Sequence, residues 1–213
     1  MMDQITIAIP KGRNLKPSVE LFKSIGLDGS SIIEDTRRLL FELPEKNVKF
    51  LVIRDTDIPT YVEYGAADMG VSGKDVLAEQ GRDLYEPLDL KFGFCRMVLA
   101  EPKELRAKDD PSKWTHIRVA TKFPRITENY FFNKGVQVEI IKLYGSIELA
   151  PLVGLSERIV DLVSTGRTLK ENGLLEVEEI MKVTARLIVN RASLKTKYER
   201  INRIIEELRS IIP

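Results

Sequence analysis

Hydrophobic positions along the chain follow two periods in turn. Short β-branched runs predict strands: QITIAI at 4–9, VKFLVI at 48–53, MGV at 69–71, FCRMVLA at 94–100, IRVAT at 117–121, QVEIIK at 137–142 and IVDLV at 159–163. Helical spacing intervenes in LKPSVELFKSI, in DIPTYVEYG, from Pro124 to Asn133 and near Glu148. The alternation predicts an α/β protein with parallel strands and covering helices. KELRAKDDPSKW at 103–114 reads as a loop, and LLEVEEIMKVTARLIVN as one extended run returning near 177–190. Leu194, Tyr198, Ile201, Ile205, Leu208 and Ile212 recur every three or four residues and predict one terminal amphipathic helix. Its apolar face can pack on the protein's own sheet, the more ordinary use, or receive a partner.

The chemistry concentrates where the run at 159–163 ends. Ile159, Val160, Leu162 and Val163 surround a single acid, Asp161, and Ser164-Thr165-Gly166-Arg167-Thr168 follows at once. Gly166 lets the main chain approach an anion with no Cβ in the way. Ser164, Thr165 and Thr168 can donate hydroxyl hydrogen bonds to phosphate oxygens, and Arg167 can neutralise charge. A helix starting near Thr168 would add the positive end of its dipole. Asp161 and Glu148 would repel that anion and are better suited to accept hydrogen bonds from sugar hydroxyls. An acid ahead of a phosphate turn points to a ribose 5-phosphate. Over the turn alone, an ordinary strand-to-helix connection with a Ser or Thr cap would read the same way.

The longer pattern goes further. Glu148, Gly154, Ser156, Ile159, Asp161, Leu162, Thr165, Gly166, Thr168 and Leu169 stand at spacings that resemble the signature of the ATP phosphoribosyltransferase family. IAIPKGRN at 7–14 resembles that family's opening strand and basic turn, and RDTDIPTYVEYGAADMGVSGKDVL at 54–77 its nucleotide-side segment, so the resemblance spans essentially the whole chain. It implies the first committed step of histidine biosynthesis, in which adenine N1 of ATP attacks C1 of phosphoribosyl pyrophosphate and pyrophosphate departs. It also implies a two-lobed α/β fold like that of periplasmic binding proteins, with a ligand cleft between the lobes. Lobe one, on the ATP side, would comprise 1–92 plus 183–213 and lobe two, binding phosphoribosyl pyrophosphate, 93–182. The crossings would fall near Lys91 to Phe94 and Val183 to Arg186.

Residue by residue, the resemblance implies phosphoribosyl pyrophosphate on Glu148, Asp161, Ser164, Thr165, Gly166, Arg167 and Thr168. ATP is implied on Lys11, Gly12, Arg13, Arg54, Asp68, Ser72, Gly73 and Arg96. The only metal implied is substrate-bound Mg2+. Because the sequence stops at Pro213, just after the terminal helix, it resembles the family's short form. That form implies a hetero-oligomer with a regulatory subunit similar to a histidyl-tRNA synthetase without charging activity.

Such a reaction builds positive charge on the ribose and negative charge on the leaving group, so the site must stabilise both. Lys11, Arg13, Arg37, Arg38 and Arg54 are the cations near expected strand ends. Arg54 is the first candidate for catalysis and Arg13 the second, beside Glu148 and Asp161. Arg37 and Arg38, in a charged stretch, fit solvated surface equally well. Arg96, in an apolar run, reaches either ligand or water, and Asp68 can instead cap the turn that follows it. An unprotonated ring nitrogen needs no general base, which leaves catalysis to positioning and electrostatics. One internal echo supports two half-structures: Asp68 and Asp161 are each followed by a hydroxyl at +4, Gly at +5 and a cation at +6.

Composition narrows the alternatives. With 33 basic and 32 acidic residues there is no global field to attract nucleic acid, so an anion site must be local. One cysteine, Cys95, excludes an internal disulfide, and one histidine, His116, excludes a histidine-cluster metal site. No apolar stretch has the length of a membrane span and no signal-peptide core precedes the first strand, so the cytoplasm is the expected location. Two other classes share these features. A small-ligand binding protein would bind without turnover, and a phosphoribosyltransferase for another base would keep the Asp161 to Thr168 turn.

Overall fold

The computed structural model describes residues 3–35, 37–108 and 110–212; Asp109, within the stretch read as a loop, and the terminal Pro213 lie outside them. The chain divides into two compact units, 1–93 with 184–213, and 94–183.

The first unit contains β1 (Ile5–Pro10), α1 (Leu15–Ser24), α2 (Ser31–Glu34), β2 (Leu40–Leu43), β3 (Val48–Ile53), α3 (Ile58–Glu63), β4 (Met69–Gly73), α4 (Lys74–Gln80) and β5 (Tyr85–Asp89). The second contains β6 (Cys95–Pro102), α5 (Lys103–Arg106), β7 (His116–Thr121), α6 (Pro124–Asn133), β8 (Gln137–Lys142), α7 (Leu149–Leu152), β9 (Arg158–Val163), α8 (Arg167–Glu171) and β10 (Leu174–Val183). β11 (Ala185–Val189), α9 (Arg191–Thr196) and α10 (Tyr198–Ile211) return to the first unit.

In the first unit the sheet order is β2-β3-β1-β4-β11-β5. β1 lies parallel to β3 and β4, and it is buried on both faces. Ile5, Ile7 and Ile9 enter one apolar cluster with Phe22, Phe50 and the α10 residues Ile201, Ile205 and Leu208. Ala8 enters another with Ile58, Val62 and Ile188. The second unit has the order β10-β6-β9-β7-β8, with β7 parallel to β8 and β9. Val98, Ala100, Ala120, Ile159 and Val163 form its core with Leu169 and Leu174.

Four features depart from the sequence reading. The sheets are mixed, because β11 runs antiparallel to β4 and β5, and β6 runs antiparallel to β9 and β10. The expected single run near 177–190 is cut at Thr184, so β10 and β11 join different sheets. Segment 103–114 carries α5 and a 3-10 turn, Pro111–Lys113. The terminal helix is broken at Lys197, whose side chain is drawn to Gln4 O at 2.8 Å and to Asp68. Its apolar face packs on the unit's own sheet. No described helix is long and apolar enough to cross a membrane.

Candidate active site

In the second unit, Asp161 sits near the end of β9, opposite Val98 of β6. After Val163 the chain turns through Ser164, Thr165 and Gly166, and α8 begins at Arg167, one residue earlier than expected. Gly166 has φ +75°, a left-handed conformation that costs an ordinary L-residue about 1–2 kcal/mol. The Arg167 N–H donates to Thr165 Oγ1 at 3.4 Å, which folds the hydroxyl into the turn. Glu148 stands just ahead of α7. All seven residues assigned to the sugar phosphate, Glu148, Asp161 and 164–168, line one cavity of about 190 Å³. At ~30 Å³ per water, this is room for a handful of solvent molecules. It suits a phosphorylated sugar end better than a whole nucleotide.

The electrostatics of this cavity divide its charges into roles. Burial pushes the Asp161 carboxyl up from its ordinary 3.8 to about 6. The Leu162 N–H, donating to Oδ1 at 2.8 Å, opposes that rise. The nearby Glu148 charge reinforces it, and Lys122 counters it. Lys122 escaped the sequence reading. It follows β7, which lies beside β9 with Thr121 opposite Val160, and a cation immediately after the strand IRVAT was the available signal. Arg167 is turned outward: its side chain is 82% exposed and Nε lies 2.8 Å from Glu171 Oε1.

In the first unit, the loops after three neighbouring parallel strands share one edge of the sheet, where open α/β sheets bind ligands. Lys11, Gly12 and Arg13 follow β1, Arg54 follows β3, and Ser72 and Gly73 end β4. The Lys11 N–H donates to Ile53 O at 2.8 Å and ties the first two loops together. Arg37 and Arg38 precede β2, whose first residue pairs with Leu51, so they come to this edge as well. Arg38 is occupied there, with Nε 2.7 Å from Leu40 O and its guanidinium over the Phe41 ring. Among the described residues, the Arg54 side chain makes no hydrogen bond or ion pair, and it is exposed. Asp75 lies buried at the same edge, its carboxyl raised by burial and by the Asp55 charge and lowered by its backbone N–H partners and Arg13. Asp55 and Asp75 were absent from the sequence-based set.

Three of the residues expected on the ATP side already have partners within the fold. Asp68 is at the opposite end of β4 from Ser72 and Gly73, and its carboxylate is already consumed. It accepts from Thr6 N at 2.8 Å, Ser193 Oγ at 2.7 Å and Lys197 Nζ at 2.9 Å. Ser72 is buried, its hydroxyl turned to Asp55 O at 3.5 Å. Arg96 belongs to the second unit, and Glu176 holds its guanidinium through two bonds of 2.7 and 2.9 Å. The seven-residue echo is correspondingly partial. Both helices start at the cation, Lys74 and Arg167, after a glycine, but Gly73 is extended at φ −68° where Gly166 is left-handed. Ser72 and Gly73 lie inside β4, whereas Thr165 and Gly166 lie past the end of β9. At Gly73 a Cβ would fall 2.2 Å from Asp75 Oδ1.

Known proteins share both the sequence and the fold. Residues 54–210 match the family profile described as HisG, ATP phosphoribosyltransferase. The chain is 66% identical over 208 residues to the ATP phosphoribosyltransferase of Geobacter sp. strain M21, covering 98% of both sequences. It is 56% identical over 211 residues to that of Caldanaerobacter subterraneus subsp. tengcongensis, covering 99% of both. Among solved structures, the ATP phosphoribosyl transferase (HisG:HisZ) complex from Thermotoga maritima matches with a TM-score of 0.82 at 38% identity, over 98% of both chains. A substrate-binding protein of an amino acid ABC transporter matches with a TM-score of 0.57 at 14% identity, over 98% of this chain and 94% of that one. That last likeness is one of fold alone, and it is the expected likeness to periplasmic binding proteins. With near-complete coverage at such identity, the chain belongs to the ATP phosphoribosyltransferase family, the pentosyltransferases that carry out the first step of histidine biosynthesis.

Proposed function

We propose that the cavity bounded by Glu148, Asp161 and the 164–168 turn binds the 5-phosphoribosyl end of phosphoribosyl pyrophosphate, and that the first unit's strand-end loops bind ATP. The observation that carries this reading is the convergence of two carboxylates and a hydroxyl-lined glycine turn on one cavity. Backbone N–H groups and the Ser164, Thr165 and Thr168 hydroxyls take the 5-phosphate, while Asp161 and Glu148 accept the ribose hydroxyls. As the bond from C1 to pyrophosphate breaks and adenine N1 closes on C1, the same carboxylates stabilise the positive charge on the ring. Mg2+ enters bound to pyrophosphate as part of the substrate. Lys11, Arg13 and Arg54 take up charge on the leaving group and the ATP phosphates, with Gly12 allowing close approach of the main chain.

The Thermotoga relative is a HisG:HisZ complex. We extend that arrangement to this chain: a regulatory subunit similar to a histidyl-tRNA synthetase completes a hetero-oligomer and sets activity and histidine feedback. The work is done in the cytoplasm, where both substrates are made.

Calorimetric titration of the chain with phosphoribosyl pyrophosphate and Mg2+ tests the site directly. Saturable binding is expected, weakened by about 1–3 kcal/mol in Thr165→Val if the hydroxyl is used. Equal binding by the original chain and by both Thr165→Val and Asp161→Asn would remove the assignment.

A further inference from the structure

Beside the phosphate turn, outside the lining of the cavity, a carboxylate stands where an anion site should least tolerate one. Glu176 Oε1 lies 3.4 Å from the position a Cβ would take on Gly166, in contact range of the turn's central residue. Neither Glu176 nor Arg96 lines the cavity. Arg96 holds that carboxylate in a two-pronged fork, with Nη1 2.7 Å from Oε2 and Nη2 2.9 Å from Oε1, and with Glu179 3.7 Å from Nη1. The fork is anchored beside the turn, since Arg96 of β6 pairs with Val163, the last residue of β9. A bidentate guanidinium fixes orientation as well as charge. A bare carboxylate this close to the turn would repel a bound phosphate.

We propose that Arg96 and Glu176 are a positioning pair for the phosphate turn, in which Arg96 supplies the positive charge that offsets Glu176 and strengthens anion binding. The proposal rests on reading the turn as the 5-phosphate site. It assigns opposite electrostatic signs to the two members. A fork that merely braced the turn would make them equivalent, since deleting either would break the same two bonds.

The test is calorimetric titration of full-length variants with phosphoribosyl pyrophosphate and Mg2+, each variant's fold checked by circular dichroism. Arg96→Gln is expected to weaken binding about tenfold and Glu176→Gln to tighten it about threefold, with the double variant within about twofold of the original. Arg96→Lys, which keeps the charge but not the fork, is expected to lose no more than about threefold. Added salt should shrink these differences. Weakening in both single variants, or no change in either, would overturn the proposal, as would equal losses in Arg96→Lys and Arg96→Gln. Thr165→Val in the same series separates the two readings. If it binds as the original chain does, the phosphate assignment fails and this inference with it; if it binds weakly while the Arg96 and Glu176 variants do not change, only the fork is wrong.

Discussion

Lys197 Nζ lies 2.9 Å from each carboxylate oxygen of Asp68, joining the start of β4 to the break between α9 and α10. The carboxylate also receives the Ser193 hydroxyl and the Thr6 N–H, and it is 4% exposed as a residue. Asp68→Ala leaves those donors and the lysine without their acceptor. It should lower stability by about 3–5 kcal/mol, the usual cost of breaking a buried pair from one side. Urea unfolding would measure it; in variant protein that remains folded, the KM for ATP should be unchanged, which separates this role from nucleotide contact.

Asp161 carries a pH signature. Its carboxyl is pushed up to about 6, so the folded chain holds this proton more tightly than the unfolded chain does. This contribution makes stability fall as pH rises from about 4 to about 6 and leaves it lower above that, by about 3 kcal/mol. Asp161→Asn should therefore unfold at higher denaturant than the original chain at pH 7.5, with the gain vanishing near pH 4. The same variant should lose turnover by at least about 100-fold, because the ring cation loses its counter-charge. Equal stability at pH 7.5 would show that the charge is not held against desolvation.

Arg54 offers the converse test, a cation whose side chain makes no hydrogen bond or ion pair among the described residues. Arg54→Gln should keep the unfolding midpoint and lower kcat by about 100-fold, the loss typical of one preorganised charge-stabilising donor. Arg54→Lys should recover part of it, since charge returns without the planar fork. Steady-state kinetics beside thermal melts would show whether kcat moves alone.

In the second unit, Glu101 and Arg158 form a buried ion pair, with Nε 2.9 Å from Oε2 and the guanidinium 4.1 Å from the Trp114 ring centroid. Glu101→Ala should destabilise by about 3–5 kcal/mol. Trp114 is the chain's single tryptophan, so fluorescence reports this unit directly. An unchanged unfolding midpoint by fluorescence would show that the pair is dispensable.

The sequence by itself determined the elements whose signals are local. Pro124 opens α6 with its fixed φ, the β-branched runs of β1, β3, β7 and β8 match their strands, and the small residues after Val163 mark the turn at 164–166. The family was legible for the same reason, because its signature is a contiguous stretch. The strands β2 and β5 were not legible. LFEL is short, and YEPLD carries Pro87, tolerated because β5 is a sheet edge. Only the tertiary structure decided which charges are available. Asp68, Arg96 and Arg167 look from sequence like free site groups, yet Lys197, Glu176 and Glu171 occupy them. The partners of Asp68 and Arg96 lie 129 and 80 residues away along the chain. Asp161, by contrast, is distinguished by its burial. Its raised carboxyl comes from burial and from the Glu148 charge, and a side chain's desolvation depends on everything folded around it rather than on its neighbours in sequence.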